Sequence, residues 1–104
     1  MTGLGAKLVG MGAVPATLHY ADGGADGPLE LQYVDATDGI VTAVIYVQSG
    51  GTRSLARIVG GVEDDELALQ IPTEEVEFDS MDDLVGADGV FETVKTVTGI
   101  ETRL

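Results

Sequence analysis

The chain has 104 residues and carries 18 aspartates and glutamates against five lysines and arginines, giving a formal charge of −13 with its single histidine, His19, neutral. That length supports one hydrophobic core, and the absence of cysteine excludes disulfide scaffolds, thiolate zinc sites, iron–sulfur clusters and cysteine nucleophiles. No apolar run approaches the roughly 20 residues that cross a bilayer, and the glycine-broken stretch Leu4 to Val14, with Lys7 as its one cation, makes a poor signal peptide.

We therefore expect a single domain over residues 1–104, not anchored to a membrane, with a short helix within 1–13 and a β-barrel over 14–104. From Thr2 to Gly12, Leu4, Leu8 and Met11 recur at i, i+4 and i+7, the spacing of one helix face. Thr2 is its candidate cap. Each glycine here costs about 1 kcal/mol relative to alanine in a helix interior, so the helix needs docking on a sheet to form. Pro15 stops it and leads into the first strand run.

The runs Val14–Tyr20, Pro28–Val34, Ile40–Gln48, Ser54–Val59, Glu66–Ile71 and Val90–Thr98 read as strands, with a short strand piece at Asp83–Val85. Between them lie the turn-like dipeptides Gly23-Gly24, Asp26-Gly27, Asp38-Gly39, Gly50-Gly51, Gly60-Gly61 and Asp88-Gly89, which admit the positive φ of tight hairpins. The pattern predicts a mainly β fold: a small antiparallel barrel or sandwich of about six strands behind a short N-terminal helix.

Alternation assigns faces. Leu67, Leu69 and Ile71 share a core face, while Glu66, Ala68 and Gln70 point outward. Ile40–Val47 is apolar on both sides, so it is either a central strand or one whose second face meets a neighbouring subunit. In the last run Val90 and Val94 share one face, and Phe91 and Val97 the other. Pro72 to Asp83 reads as a loop in which Thr73 caps a helical turn and Val76 and Phe78 reach inward.

Residues of catalytic type are present without a catalytic arrangement. His19 sits inside a strand run, and Ser49, Ser54 and Ser80 lack a nucleophile-elbow setting. The acidic clusters Glu63-Asp64-Asp65-Glu66 and Asp79-Ser80-Met81-Asp82-Asp83 have oxygen ligands but not EF-hand spacing, and read as solvated turns. We expect no enzyme, no bound metal and no cofactor. Five cations among 18 anions supply no basic surface for nucleic acid.

With 44% hydrophobic residues, the chain is not a disordered acidic tail. An acidic shell over a folded core fits a halophilic source, because the Debye length falls to about 3 Å in molar salt and self-repulsion is screened. An ordinary acidic protein is the alternative. Gln48, Ser49, Gly50, Gly51, Thr52, Arg53 and Arg57 form the candidate channel or partner loop and its flank, with two surface arginines paired to local acids as the plainer reading. Leu4, Leu8 and Met11 form the candidate N-terminal docking face.

The sequence order is a short helix followed by Val14-Pro15-Ala16-Thr17-Leu18, a hairpin over Tyr20–Pro28, and a strand entering a loop over Ile40–Thr52. Then come the strand Glu66–Ile71, the proline-plus-acid loop Pro72–Phe78, Asp83-Leu84-Val85 and the hairpin Asp88-Gly89-Val90-Phe91-Glu92-Thr93-Val94. This order resembles the head-closure, or head–tail connector (stopper, neck), proteins of tailed viruses, most specifically over Glu66 to Val94. The resemblance implies a non-enzymatic virion component in the neck, assembled in the host cytoplasm. It implies a homo-oligomeric ring of six- or twelve-fold symmetry between portal or adaptor and tail proteins, through which DNA passes without tight binding. With the composition, it implies a virus of a salt-loving archaeon. A capsid decoration or tail-ring protein, and a cellular carbohydrate- or metal-binding β-module, are the alternatives.

Overall fold

The computed structural model describes residues 3–49 and 52–102, and for residues 27, 28, 47–49, 52 and 53 it describes the backbone. The strand runs become β1 (Pro15–Tyr20), β2 (Ala25–Thr37), β3 (Ile40–Ser49), β4 (Thr52–Gly61), β5 (Leu67–Pro72) and β6 (Phe91–Thr102). Each pairs antiparallel with the next, and β6 returns to β1, so the six described strands close into an up-and-down barrel. A barrel this small is filled by its own side chains. Ala16, Leu18, Leu31, Val41, Ala43, Ile45, Ile58, Leu67, Val97 and Ile100 occupy the interior, each buried.

Turn chemistry sets the register where the chain reverses within two residues. Asp38 (φ 54°) and Gly39 (φ 79°) both adopt left-handed backbone between the paired Thr37 and Ile40. Two positive-φ residues in a two-residue loop match the right-handed twist of the flanking strands. Gly23-Gly24 also turns the chain, and the Asp22 carboxylate accepts from Gly24 N at 2.8 Å. Three expected turns are not turns of that kind. Once the chain reverses at Asp22–Gly24, Asp26-Gly27 falls within β2, where Leu18 pairs with Asp26. Gly60-Gly61 pairs with Val41 and Ile40 inside the β3–β4 ladder, and Asp88-Gly89 lies in a 3₁₀ turn, Asp88–Val90. Gly50-Gly51 lies outside the described residues.

The N-terminal helix α1 (Leu4–Val9) is shorter than the expected span, with Gly3 at its N-cap; Thr2 lies outside the described residues. Leu8 is fully buried among the barrel side chains, and Leu4 and Met11 pack around it. The candidate docking face is therefore spent on this chain's own barrel. Gly5 makes that approach possible: a Cβ there would lie 2.1 Å from the Gly61 carbonyl oxygen. The same residue donates its N–H to Asp64 O at 3.0 Å, and the Lys7 ammonium donates to the Ile100 carbonyl. The glycine that weakens the isolated helix is the one that lets it seat.

A second apolar layer lies outside the barrel. Val44 points away from the interior but is fully buried, clustered with Leu84 and Phe91, while Tyr33, Leu55, Phe78 and Val85 pack around them. Its cover is the segment between β5 and β6, which holds α2 (Met81–Val85) and the 3₁₀ turn. The doubly apolar pattern of β3 thus has an intramolecular cause over Val44. The expected strand piece at Asp83–Val85 is helical, and the cap of that helix is Ser80 rather than Thr73. Ser80 Oγ accepts from Asp83 N at 3.1 Å, and Asp82 and Asp83 place negative charge in the first turn, the arrangement that starts a helix.

Two face assignments are corrected by one irregularity. β5 pairs Leu69 with Lys95 and Gln70 with Thr93, leaving Val94 as an extra residue in β6. A bulge of one residue reverses the faces beyond it. Phe91 therefore joins the outer cluster while Val97 stays inside, and Val94 is exposed. Ile71, expected in the core beside Leu67 and Leu69, is 37% exposed because it lies beyond the last β4–β5 pair.

Candidate functional site

The β3–β4 hairpin is the longest pairing in the fold. β2 accompanies β3 as far as the Glu30–Tyr46 pair, and β5 accompanies β4 only over Arg57–Val59. The two strands continue together through Val47–Ser54, Gln48–Arg53 and Ser49–Thr52. Those last rungs have no third strand beside them among the described residues. The segment expected as a loop is consequently a two-stranded ribbon running out of the barrel wall. Gln48, Ser49, Thr52 and Arg53 lie on its strands, whereas Gly50 and Gly51 lie outside the described residues.

Arg57, grouped with that loop from its position in sequence, has a different place. It is 1% exposed and sits beneath the outer cover. Its Nε donates to Gln70 Oε1 at 2.7 Å, Nη1 donates to the carbonyls of Leu84 (3.1 Å) and Val85 (3.0 Å), and Nη2 donates to Asp88 Oδ1 at 2.6 Å. The guanidinium carbon lies 4.2 Å from the centre of the Phe91 ring, within cation–π range. Phe91 in turn stacks on Phe78, centroids 6.1 Å apart. A planar fork with several donors satisfies two helix-end carbonyls, a carboxylate and an amide at once, which lysine geometry does not reproduce. Arg57 therefore holds the α2 cover to the barrel and clasps the short β4–β5 seam through Gln70; it is not a free partner-binding cation.

A furrow runs between the ribbon's base and the segment after β5. One part, about 590 Å³, is lined by Ser54, Leu55, Ile71, Pro72, Glu74, Glu75 and Val76. A second part, about 400 Å³, continues past Leu55 and Val76 to Phe78, Met81 and Leu84. Its walls combine apolar side chains with exposed carboxylates. Sequence reasoning missed Ile71 as a surface residue because it placed it in the core, whereas Met81, placed in a solvated acidic turn, is exposed.

Several of the remaining titratable groups serve local structure. Asp64 Oδ2 accepts from Gly61 N at 2.9 Å in the β4–β5 turn, and Asp82 accepts from the Tyr33 hydroxyl at 3.2 Å, which pushes that phenol's pKa up. Inside the barrel end, Tyr20 donates to Asp26 Oδ2 at 2.6 Å. Burial first, and then the bond and charge of Asp26, raise its pKa well above the usual tyrosine value. Lys95 lies over the same ring and pairs with Asp22 at 3.1 Å. The Gly24 N–H and then Lys95 hold the Asp22 carboxyl below its ordinary pKa. His19 faces outward, with Nε2 3.3 Å from a Glu101 carboxylate oxygen. Among the described residues no three of His, Asp and Glu converge as a metal site, and no helix is long and apolar enough to cross a membrane.

Comparisons with family models, with curated proteins and with solved structures found no match.

Proposed function

We propose that the chain is a structural component of a tailed virus, forming a homo-oligomeric ring between the capsid portal or adaptor and the tail and helping to close the DNA channel. The observation that carries this reading is the two-stranded extension of β3 and β4 beyond a closed barrel. The described strands pair in a closed ring and α1 packs against their core, which leaves the ribbon as the part available to reach a lumen or a neighbour. A head-to-tail arrangement of identical bodies closes into a ring when its rotation permits.

The charge of −13 supports the same reading in a second way. A lumen lined with carboxylates repels the phosphate backbone, so DNA passes without sticking. It also supports a salt-rich setting, in which screening removes the cost of self-repulsion. Refolding yield measured against KCl concentration tests that part, and full stability in dilute buffer contradicts it. Deletion of Gly50–Thr52 tests the ribbon: the expected result is a folded barrel with defective assembly or loss of packaged genome. Normal virions from the deletion mutant would refute the channel role.

A further inference from the structure

The β3–β4 ribbon leaves one edge of β4 open beside an apolar furrow. Among the described residues no strand pairs with residues 52–56 on the side where β5 pairs with Arg57–Val59, so alternate backbone N–H and C=O groups there face away from β3 without a ladder partner among the described strands. An open edge is a template for another strand. Natural chains commonly guard such edges with bulges, prolines or charge, and here the guard is incomplete. Pro72 ends β5, and Glu74 and Glu75 stand along the far wall, but Leu55, Ile71 and Val76 leave an apolar floor between them.

We propose that this edge accepts an extended segment of a partner protein, added as a further strand against residues 52–56, with apolar side chains at alternate positions and lysine or arginine between them. Strand addition draws affinity from main-chain hydrogen bonds and specificity from pockets for alternate side chains. The furrow's volume, about 590 Å³, lies within the range of ligand-binding clefts. Charge selects the occupant. Glu74 and Glu75 line the furrow, the exposed Asp79 lies further along it, and Arg57 is already committed beneath the cover, so these three carboxylates outnumber Arg53, the cation on the β4 edge itself. A cationic segment is attracted to these carboxylates, whereas an acidic segment is repelled from them. The inference does not depend on the ring.

The test titrates a short peptide of alternating lysine and valine into the ¹⁵N-labelled full chain, with an alternating glutamate and valine peptide as control, over a range of KCl concentrations. Shift changes and new amide protection confined to residues 52–56 and 71–76 are expected. At the lowest KCl concentration at which the free chain's spectrum stays dispersed, the basic peptide should bind at least about tenfold tighter than the acidic one. Ile71→Lys and the double change Glu74→Lys/Glu75→Lys should each weaken binding by about tenfold. Val94→Lys, at an exposed position on β6, should not. The dispersion of each free variant's spectrum reports its fold. Equal binding of the two peptides, or shifts spread over the whole acidic surface, overturns the proposal. Concentration-dependent self-association that protects residues 52–56 without peptide also overturns it, in favour of a second copy as occupant.

Discussion

Replacing Arg57 by methionine keeps most of the side chain's volume and removes every donor. The carbonyls of Leu84 and Val85 then lose their guanidinium bonds under the cover, at about 1 kcal/mol or more each. Loss of the cation over Phe91 adds about 1 kcal/mol. The pair with Asp88 adds less, because the Asp88 side chain is 86% exposed and solvent screens it, so its share is at most about 1 kcal/mol. The Nε bond to the partly buried Gln70 is lost as well, and the expected total is about 3–4 kcal/mol, a large part of the roughly 5–15 kcal/mol that holds a domain together. Asp88→Asn removes the ion pair alone and should cost about 1 kcal/mol or less. Urea unfolding in concentrated KCl measures both. Hydrogen exchange locates the effect, with α2 amides losing protection before those of β1, β2 and β3. An Arg57→Met variant within about 0.5 kcal/mol of the parent, the range of ordinary surface changes, would show that the arginine does not hold the cover.

Two further outcomes follow from contacts elsewhere in the fold. Gly5→Ala places a methyl group against the Gly61 carbonyl, so it should lower stability by about 2 kcal/mol, an overpacking cost, and release α1 amides in hydrogen exchange; unchanged protection of α1 would contradict the close approach. The Tyr20 phenol is raised in the folded state, so below pH about 10, where the unfolded chain's tyrosine is also neutral, its contribution is fully present. Above that pH the unfolded state ionises first, and stability falls as pH rises toward the folded value. Tyr20→Phe should flatten that alkaline slope in unfolding midpoints measured between neutral and alkaline pH, and an unaltered slope would assign the effect to another group.

The barrel was legible because short β-branched runs, turn dipeptides and one helix-spaced face are local signals. Asp38-Gly39 shows the signal and its limit: between two apolar runs it marks the hairpin that forms, yet the same residue types lie within β2 at Asp26-Gly27 and in a 3₁₀ turn at Asp88-Gly89. The features that went unread depend on long-range geometry. Arg57 looks like a surface arginine beside a glycine loop until β5, α2 and Asp88 close around it. The apolar outer face of β3 signals cover without saying whether the cover comes from this chain or another. The bulge at Val94 reverses a face without any glycine or proline to mark it. The α2 start has a usable local signal, Ser80 followed three residues later by Asp83, but the surrounding run of acids has the same composition as a solvated turn. Likewise, the extent of the ribbon follows from where β2 and β5 stop pairing, which no single segment encodes.

The ring is the central claim, and the mass of the purified chain in molar KCl tests it most directly. Light scattering coupled to size-exclusion chromatography, run over a range of protein concentrations, should find a closed species of six or twelve copies that persists on dilution. A monomer at every salt and protein concentration, or a trimer, would contradict the connector reading, and the trimer would favour a capsid decoration role instead.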